Sequence, residues 1–427
     1  MKGFAVVLLL SAWLAFGAEP AWKSEIPSGA RESGSWLALL SALQGAELPY
    51  GAMGAAARIL AYFPELAAKQ KAYEAVLALV DRDYPVPMSG LFASGDLEAG
   101  FSRGYDFVKY VIHHEAGMER WAREYRSDAA TEPKLAFYLA LQDYEAGRTE
   151  PAVSRLKAIL AADKGTGSGS LAIRAARTLA RIHFESGRFE RALDIYSSFL
   201  LKLNPVRPAD WLEAAWCDYH LHRYAEALGL LYNLESRAAG PVPSLERYTL
   251  RALVYRELCA VGAAKELVAS FERDFGAALA GIREGKSPAR FPELGRVAAS
   301  PQALALAALR READSIDEKV PSPLRPFARE LYDSESRLLE SEARSDSEAA
   351  LERASREVVT TAEGLRFLRF DVEREKFDPD RVFRARAGAS ELPEPRGDFV
   401  VRWPQQGEFW RGERLAYRAE LRSECGE

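Results

Sequence analysis

Leu179-Ala180-Arg181-Ile182-His183-Phe184-Glu185-Ser186-Gly187-Arg188-Phe189-Glu190-Arg191-Ala192, continued by Tyr196, Phe199 and Pro205, is the stretch whose reading decides the fold. Two helices that pack closely need small side chains facing each other, and Ala180 and Ala192 supply them. Leu179, Phe189 and Tyr196 are bulky enough to fill the space around that contact, and Gly187 lets the chain reverse between the helices. The same arrangement recurs outward in both directions. It returns at Trp211, Ala215, Tyr224, Ala227, Leu231 and Leu234, again at Ala252, Tyr255, Ala264, Val268 and Phe271, and earlier at Ala136, Ala140, Gly147, Ala152, Leu156 and Ile159. The second small residue thus falls at Ala152, Ala192, Ala227 and Ala264, at spacings of 40, 35 and 37. Gly165-Thr166-Gly167-Ser168-Gly169-Ser170, a flexible insertion, explains the longest spacing.

This pattern resembles the tetratricopeptide repeat (TPR) family, whose period is about 34 residues. The resemblance covers Glu132 to Asp274 and is strongest around Ala192. It implies an all-α fold, a TPR-like solenoid of helix pairs whose first helices line a concave groove. On this sequence the groove positions hold Phe137, Tyr138, Leu141 and Tyr144, then Arg174, Arg177 and Arg181, then Trp216, Tyr219 and His220. A basic stripe beside aromatics implies a protein or peptide partner bearing acidic or aromatic residues. Alternatively, the arginines form a solvated face paired with local acids such as Glu185. The family's carboxylate clamp uses Asn at positions that here hold Arg181, Trp216 and Leu141, so recognition of chaperone tails is not implied.

The flanks read differently. Residues 19–130 are helical for much of their length, as further degenerate repeats or a cap, with Pro64 placed to open a helix over Ala67 to Asp81. Pro85 to Gly104 is rich in turn formers. Beyond the array, which spans 131–285, residues 286–376 form a helical, coiled-coil-like segment. There Leu324, Phe327, Leu331 and Leu338 recur at helical spacing. Leu351, Ala354, Val358, Thr361, Leu365, Leu368 and Val372 then alternate three and four apart, a heptad seam. One continuous helix from Leu324 to Lys376 would extend ~80 Å; a hairpin bent near Ser345-Asp346-Ser347 is equally compatible. Helix is favoured over strand at 365–373, although Leu368, Phe370 and Val372 also alternate. In 377–427, Phe399 to Trp403 and Leu415 to Leu421 alternate as two short strands joined by a turn-rich stretch, a small β-hairpin expected to dock on the protein's own helices.

The bulk properties bound the function. The chain has 427 residues, is 48% hydrophobic and 28% charged, and carries a formal charge of −5. That charge gives no electrostatic reason to bind nucleic acid. Lys2, the apolar run Phe4 to Phe16 and Ala15-Phe16-Gly17 have the order of a cleaved signal peptide over residues 1–18. The expected location is therefore extracytoplasmic, periplasmic or at the outer membrane for a bacterial source, with no transmembrane segment. The 3 cysteines, an odd count, are Cys217, Cys259 and Cys425. A Cys217–Cys259 bridge is conceivable, but two buried apolar thiols are expected. No metal or cofactor site and no catalytic constellation stands out. His113 and His114 are adjacent and diverge on a helix, His220 and His222 are also badly spaced, and the Gly165 run lacks the Lys of a phosphate loop. The expectation is a non-enzymatic scaffold that organises a cell-envelope complex. The alternatives are a structural subunit that self-associates through 351–372, or an enzyme-associated domain with its site in 85–125.

Overall fold

The computed structural model describes residues 32–63, 65–80, 133–162, 170–235, 245–298, 300–375, 417–419 and 423–425. The expected leader, the 85–125 segment with His113-His114, most of the Gly165–Ser170 insertion, and the β-hairpin except 417–419 lie outside them. The described residues are helical, and no strand occurs among them. No described helix is long and apolar enough to cross a membrane.

Helices α1 (Ser33–Gly45), α2 (Pro49–Tyr62) and α3 (Leu66–Val80) open the chain. Eight helices follow as successive hairpins: α4 (Pro133–Glu145) with α5 (Thr149–Ala162), α6 (Ser170–Glu185) with α7 (Phe189–Ser198), α8 (Pro208–His220) with α9 (Tyr224–Tyr232), and α10 (Glu246–Glu257) with α11 (Val261–Arg283). The short α12 (Pro292–Gly295), then α13 (Pro301–Asp314) and the short α14 (Ile316–Lys319) lead to α15 (Arg325–Glu375), a single helix of 51 residues. The chain is therefore not bent near Ser345-Asp346-Ser347, and 365–373 is helix.

The hairpins share one turn. In each, a residue with positive φ follows the first helix, at Gly147 (77°), Gly187 (70°), His222 (58°) and Cys259 (53°). Its amide bonds back three residues and the next amide bonds back five, as Arg188 does to His183 at 2.8 Å and Arg223 to Asp218 at 2.8 Å. These two hydrogen bonds satisfy carbonyls that the helix end would leave unpaired. Glycine enters this conformation without steric cost, so Gly147 and Gly187 were legible as turns. His222 and Cys259 take the same place against that preference, and so does Glu47 (φ 56°) between α1 and α2. Five residues after each turn stands a buried small residue: Ala52, Ala152, Ala192, Ala227 and Ala264. Seven before it stand Ala140, Ala180, Ala215 and Ala252, also buried, and in the first hairpin Leu40.

By contact density the chain forms two units, one comprising 1–126 with 306–338, the other 127–305 with 339–427. In the first unit, Trp36 packs edge-on against Phe327 at 4.4 Å between ring centroids. The Glu312 carboxylate accepts the amides of Tyr50 and Gly51, each at 3.1 Å, and the Tyr332 hydroxyl at 2.8 Å. It thereby caps the first turn of α2, whose side chains offer no cap. Arg58 pairs with Glu335 in the same buried layer and donates to Ser334 Oγ at 2.8 Å.

In the second unit each hairpin packs on the next; first helices meet directly at α4–α6 and α8–α10, and ion pairs join α6 to α8. The core runs from Ala176 and Ala180 through Tyr196, Trp211 and Leu231 to Leu250 and Val254. The heptad seam finishes this unit. Ala354, Val358 and Leu365 pack with Leu245, Tyr248, Phe271, Phe275 and Leu279 of the same chain. The seam, which the alternative reading gave to a second copy, packs here against residues at and within α10 and α11.

The cysteines depart from expectation. Cys217 is buried and free inside α8, while Cys259, in the α10–α11 turn, is joined to Cys425 in a disulfide. Burial and the neighbouring Asp218 and Glu213 push the Cys217 thiol up to about 12, which leaves it inert. The described tail lies on the helices. The Ala419 amide bonds to the Ala225 carbonyl at 3.1 Å, and the Glu424 amide to the Leu258 carbonyl at 2.9 Å.

Candidate functional site

The sequence nominated side chains on the first helices of three successive hairpins. Repeat packing brings these helices side by side, and their residues sort into three groups.

Phe137, buried, and Tyr144, half-buried, lie on α4. Arg174 of α6 sits over the Phe137 ring at 4.6 Å and the Tyr138 ring at 5.4 Å, and its guanidinium donates to the Tyr138 hydroxyl at 3.3 Å. This is a cation held on ring faces, not a charge projecting into solvent. Tyr144 donates its hydroxyl to Glu185. Glu185, the acid suggested as a partner of the arginines, is thus joined to a tyrosine instead.

Arg177 and Arg181 form the second group, with acids of α8 that the sequence reading did not name. Arg177 forks onto Asp210 at 2.8 and 2.9 Å. The Asp210 side chain is 0% exposed and that of Arg177 16%. Arg181 forks onto Glu213 at 2.6 and 3.0 Å, and Tyr196 donates its hydroxyl to the same carboxylate. Burial alone would raise the Glu213 carboxyl. Hydrogen bonds from Arg181 and Tyr196 outweigh it and hold the group below the usual carboxylate range. These forks bridge neighbouring first helices and fix their register. The arginine stripe is therefore not an open row of anion sites. The signal for its partners was present: Asp210 and Glu213 stand three apart, one repeat beyond Arg177 and Arg181.

The third group is aromatic. His220 stacks on Phe189 at 4.4 Å, with ring planes 6° apart. Phe184 meets the His220 edge at 5.4 Å, Trp216 lies 6.0 Å from the same ring, and Tyr219 packs edge-on against Trp216 at 5.8 Å. Burial and His222 lower the His220 pKa, so the imidazole is neutral at pH 7 and acts as an aromatic surface. Phe184, Phe189, Trp216 and Tyr219 are half-buried, and His220 is exposed. Phe184 and Phe189 were missed as members because one ends α6 and the other begins α7, away from the stripe in sequence.

Behind this cluster, at the end of α8, Asp218 is 4% exposed. Burial, then the nearby Glu226, raises its carboxyl to about 7 against the opposing pull of Arg223 and Arg418. Among the described residues no group of three or more His, Cys, Asp or Glu is placed to hold a metal ion. No protein-family model and no curated protein matches the chain.

Proposed function

We propose that the chain is an exported TPR-type scaffold that holds a protein segment on the face of α4, α6 and α8, and so organises a cell-envelope complex. The observation that carries this reading is the partly exposed Phe184–Phe189–Trp216–Tyr219–His220 cluster. It stands beside first helices locked by Arg177–Asp210 and Arg181–Glu213. A rigid platform next to aromatic side chains that still face solvent suits capture of an extended segment, because little ordering is left to do on binding. The paired arginines shift the expected partner from acidic toward apolar or aromatic-bearing. The packing of the heptad seam within its own chain weighs against self-assembly through 351–372.

Site-specific photocrosslinking in intact cells tests the reading. A photoreactive amino acid in place of Trp216 should yield discrete adducts with envelope proteins, whereas the same residue at exposed Ser154 of α5 should not. An identical adduct pattern from both positions, or none from Trp216, would reject it.

A further inference from the structure

The outer face of α9 is shaped for an extended chain. Ala225 and Glu226, then Gly229, then Tyr232 mark successive turns of it, with Gly229 four and three residues from the first two and Tyr232 three beyond. Residues Tyr417 to Ala419 of the tail occupy this stripe. Ala419 donates its amide to the Ala225 carbonyl, although helix carbonyls are normally taken within the helix. Arg418 pairs with Glu226 at 3.2 Å. The Tyr417 ring packs edge-on against Tyr232 at 5.5 Å. Between them the tail backbone descends onto Gly229, where a Cβ would lie 1.8 Å from the Tyr417 carbonyl oxygen. A glycine inside a nine-residue helix weakens that helix, and here it opens the slot through which the backbone passes. The Ala419 side chain packs against the core below, so the track takes an aromatic, then an arginine, then a small residue.

We propose that this track on α9 is a peptide-binding site for extended aromatic–arginine–small segments, occupied in cis by the protein's own tail and locked by the Cys259–Cys425 disulfide. The lock is selective, because Cys217 is the only other cysteine and is buried and inert. A small dithiol reductant opens the lock by thiol–disulfide exchange. Its thiolate attacks one sulfur, its second thiol resolves the mixed disulfide, and two protein thiols and a cyclic disulfide result. The tail is then held by non-covalent contacts, among them Arg418 on Glu226, Tyr417 on Tyr232 and the hydrogen bonds of the Ala419 and Glu424 amides, and a segment of the same chemistry competes for the track. This inference is independent of the first-helix face.

The test uses the full-length chain and a fluorescent peptide of the sequence Leu415 to Leu421. In the Arg418→Glu, Cys425→Ser variant the cis tail meets Glu226 with like charge and has no covalent hold. The peptide should bind this variant saturably, and about tenfold or more weaker to the oxidised wild type, where the tethered tail competes at high effective concentration. Adding Gly229→Leu should abolish binding, since the side chain fills the slot. No saturable binding to the double variant overturns the proposal, as does binding that Gly229→Leu leaves unchanged. A second measurement covers a double variant that fails to fold. Hydrogen exchange over 224–232 in the wild type should accelerate after reduction by dithiothreitol. Unchanged exchange, with both thiols confirmed by mass, likewise overturns it.

Discussion

Arg177 and Asp210 set how far the first-helix face tolerates change. Removing the cation leaves a carboxylate with no exposed surface and without its bidentate partner. Arg177→Ala should cost ~3–5 kcal/mol in urea-unfolding experiments. Replacing both partners together, as Arg177→Met with Asp210→Leu, should recover much of that loss, because the penalty belongs to the orphaned charge more than to the missing pair. Asp218 behaves oppositely. Its carboxyl is raised to about 7 in the folded chain, above the value of an exposed aspartate. Folding therefore favours the protonated form. This contribution is complete below about pH 4 and is lost as pH rises through about 7. Asp218→Asn should raise stability at pH 8 by on the order of 2 kcal/mol, and the gain should vanish below about pH 4. A thermal-melt series across pH reads both limbs. The arginines stand out on the sequence through the groove positions that the family resemblance implies. Their acids were not singled out, because the complement lies a whole repeat away and no local window contains both halves.

At the scale of elements, the shared turn explains why some repeats were plain and others faint. Gly147 and Gly187 announce a left-handed residue, whereas His222, Cys259 and Glu47 adopt the same conformation against their preference. Composition alone hid three turns that geometry makes equivalent. Glu47→Gly should relieve a left-handed penalty of about 1 kcal/mol and raise the denaturation midpoint. Gly187→Ala should lower it by a similar amount. In α15 the residues of the three-and-four spacing from Ala354 to Val372 are buried or half-buried, but Leu338 is 49% exposed and its neighbour Leu339 is buried. The pattern slips there because the two portions of the helix serve the cores of different units, so no single stripe runs its full length. Periodicity identified the seam but not what covers it. Leu365→Glu should accordingly unfold the second unit, seen as lost helical ellipticity, without changing the mass measured by light scattering. A halved mass with intact helix would contradict the packing described for α15.

Over the whole molecule, helicity and the hairpin succession were legible because small residues recur at a fixed distance from each turn. The membership of the units was not. Residues 306–338 group with the first unit although 286–376 reads as one segment in sequence. Residues distant in the chain share a core there: Glu312 caps α2, and Tyr332 reaches the same carboxylate. The bond between Cys259 and Cys425 spans 166 residues and also escaped the sequence reading, since position 425 belongs to no repeat and offers no spacing to compare. That bond makes a closed covalent ring of everything from α11 to the tail. A protease that cuts once anywhere from Val261 to Glu424 would open the ring without dividing the molecule. The nicked protein should migrate as one species on a non-reducing gel and as two after reduction, so its integrity outlasts a break in its backbone.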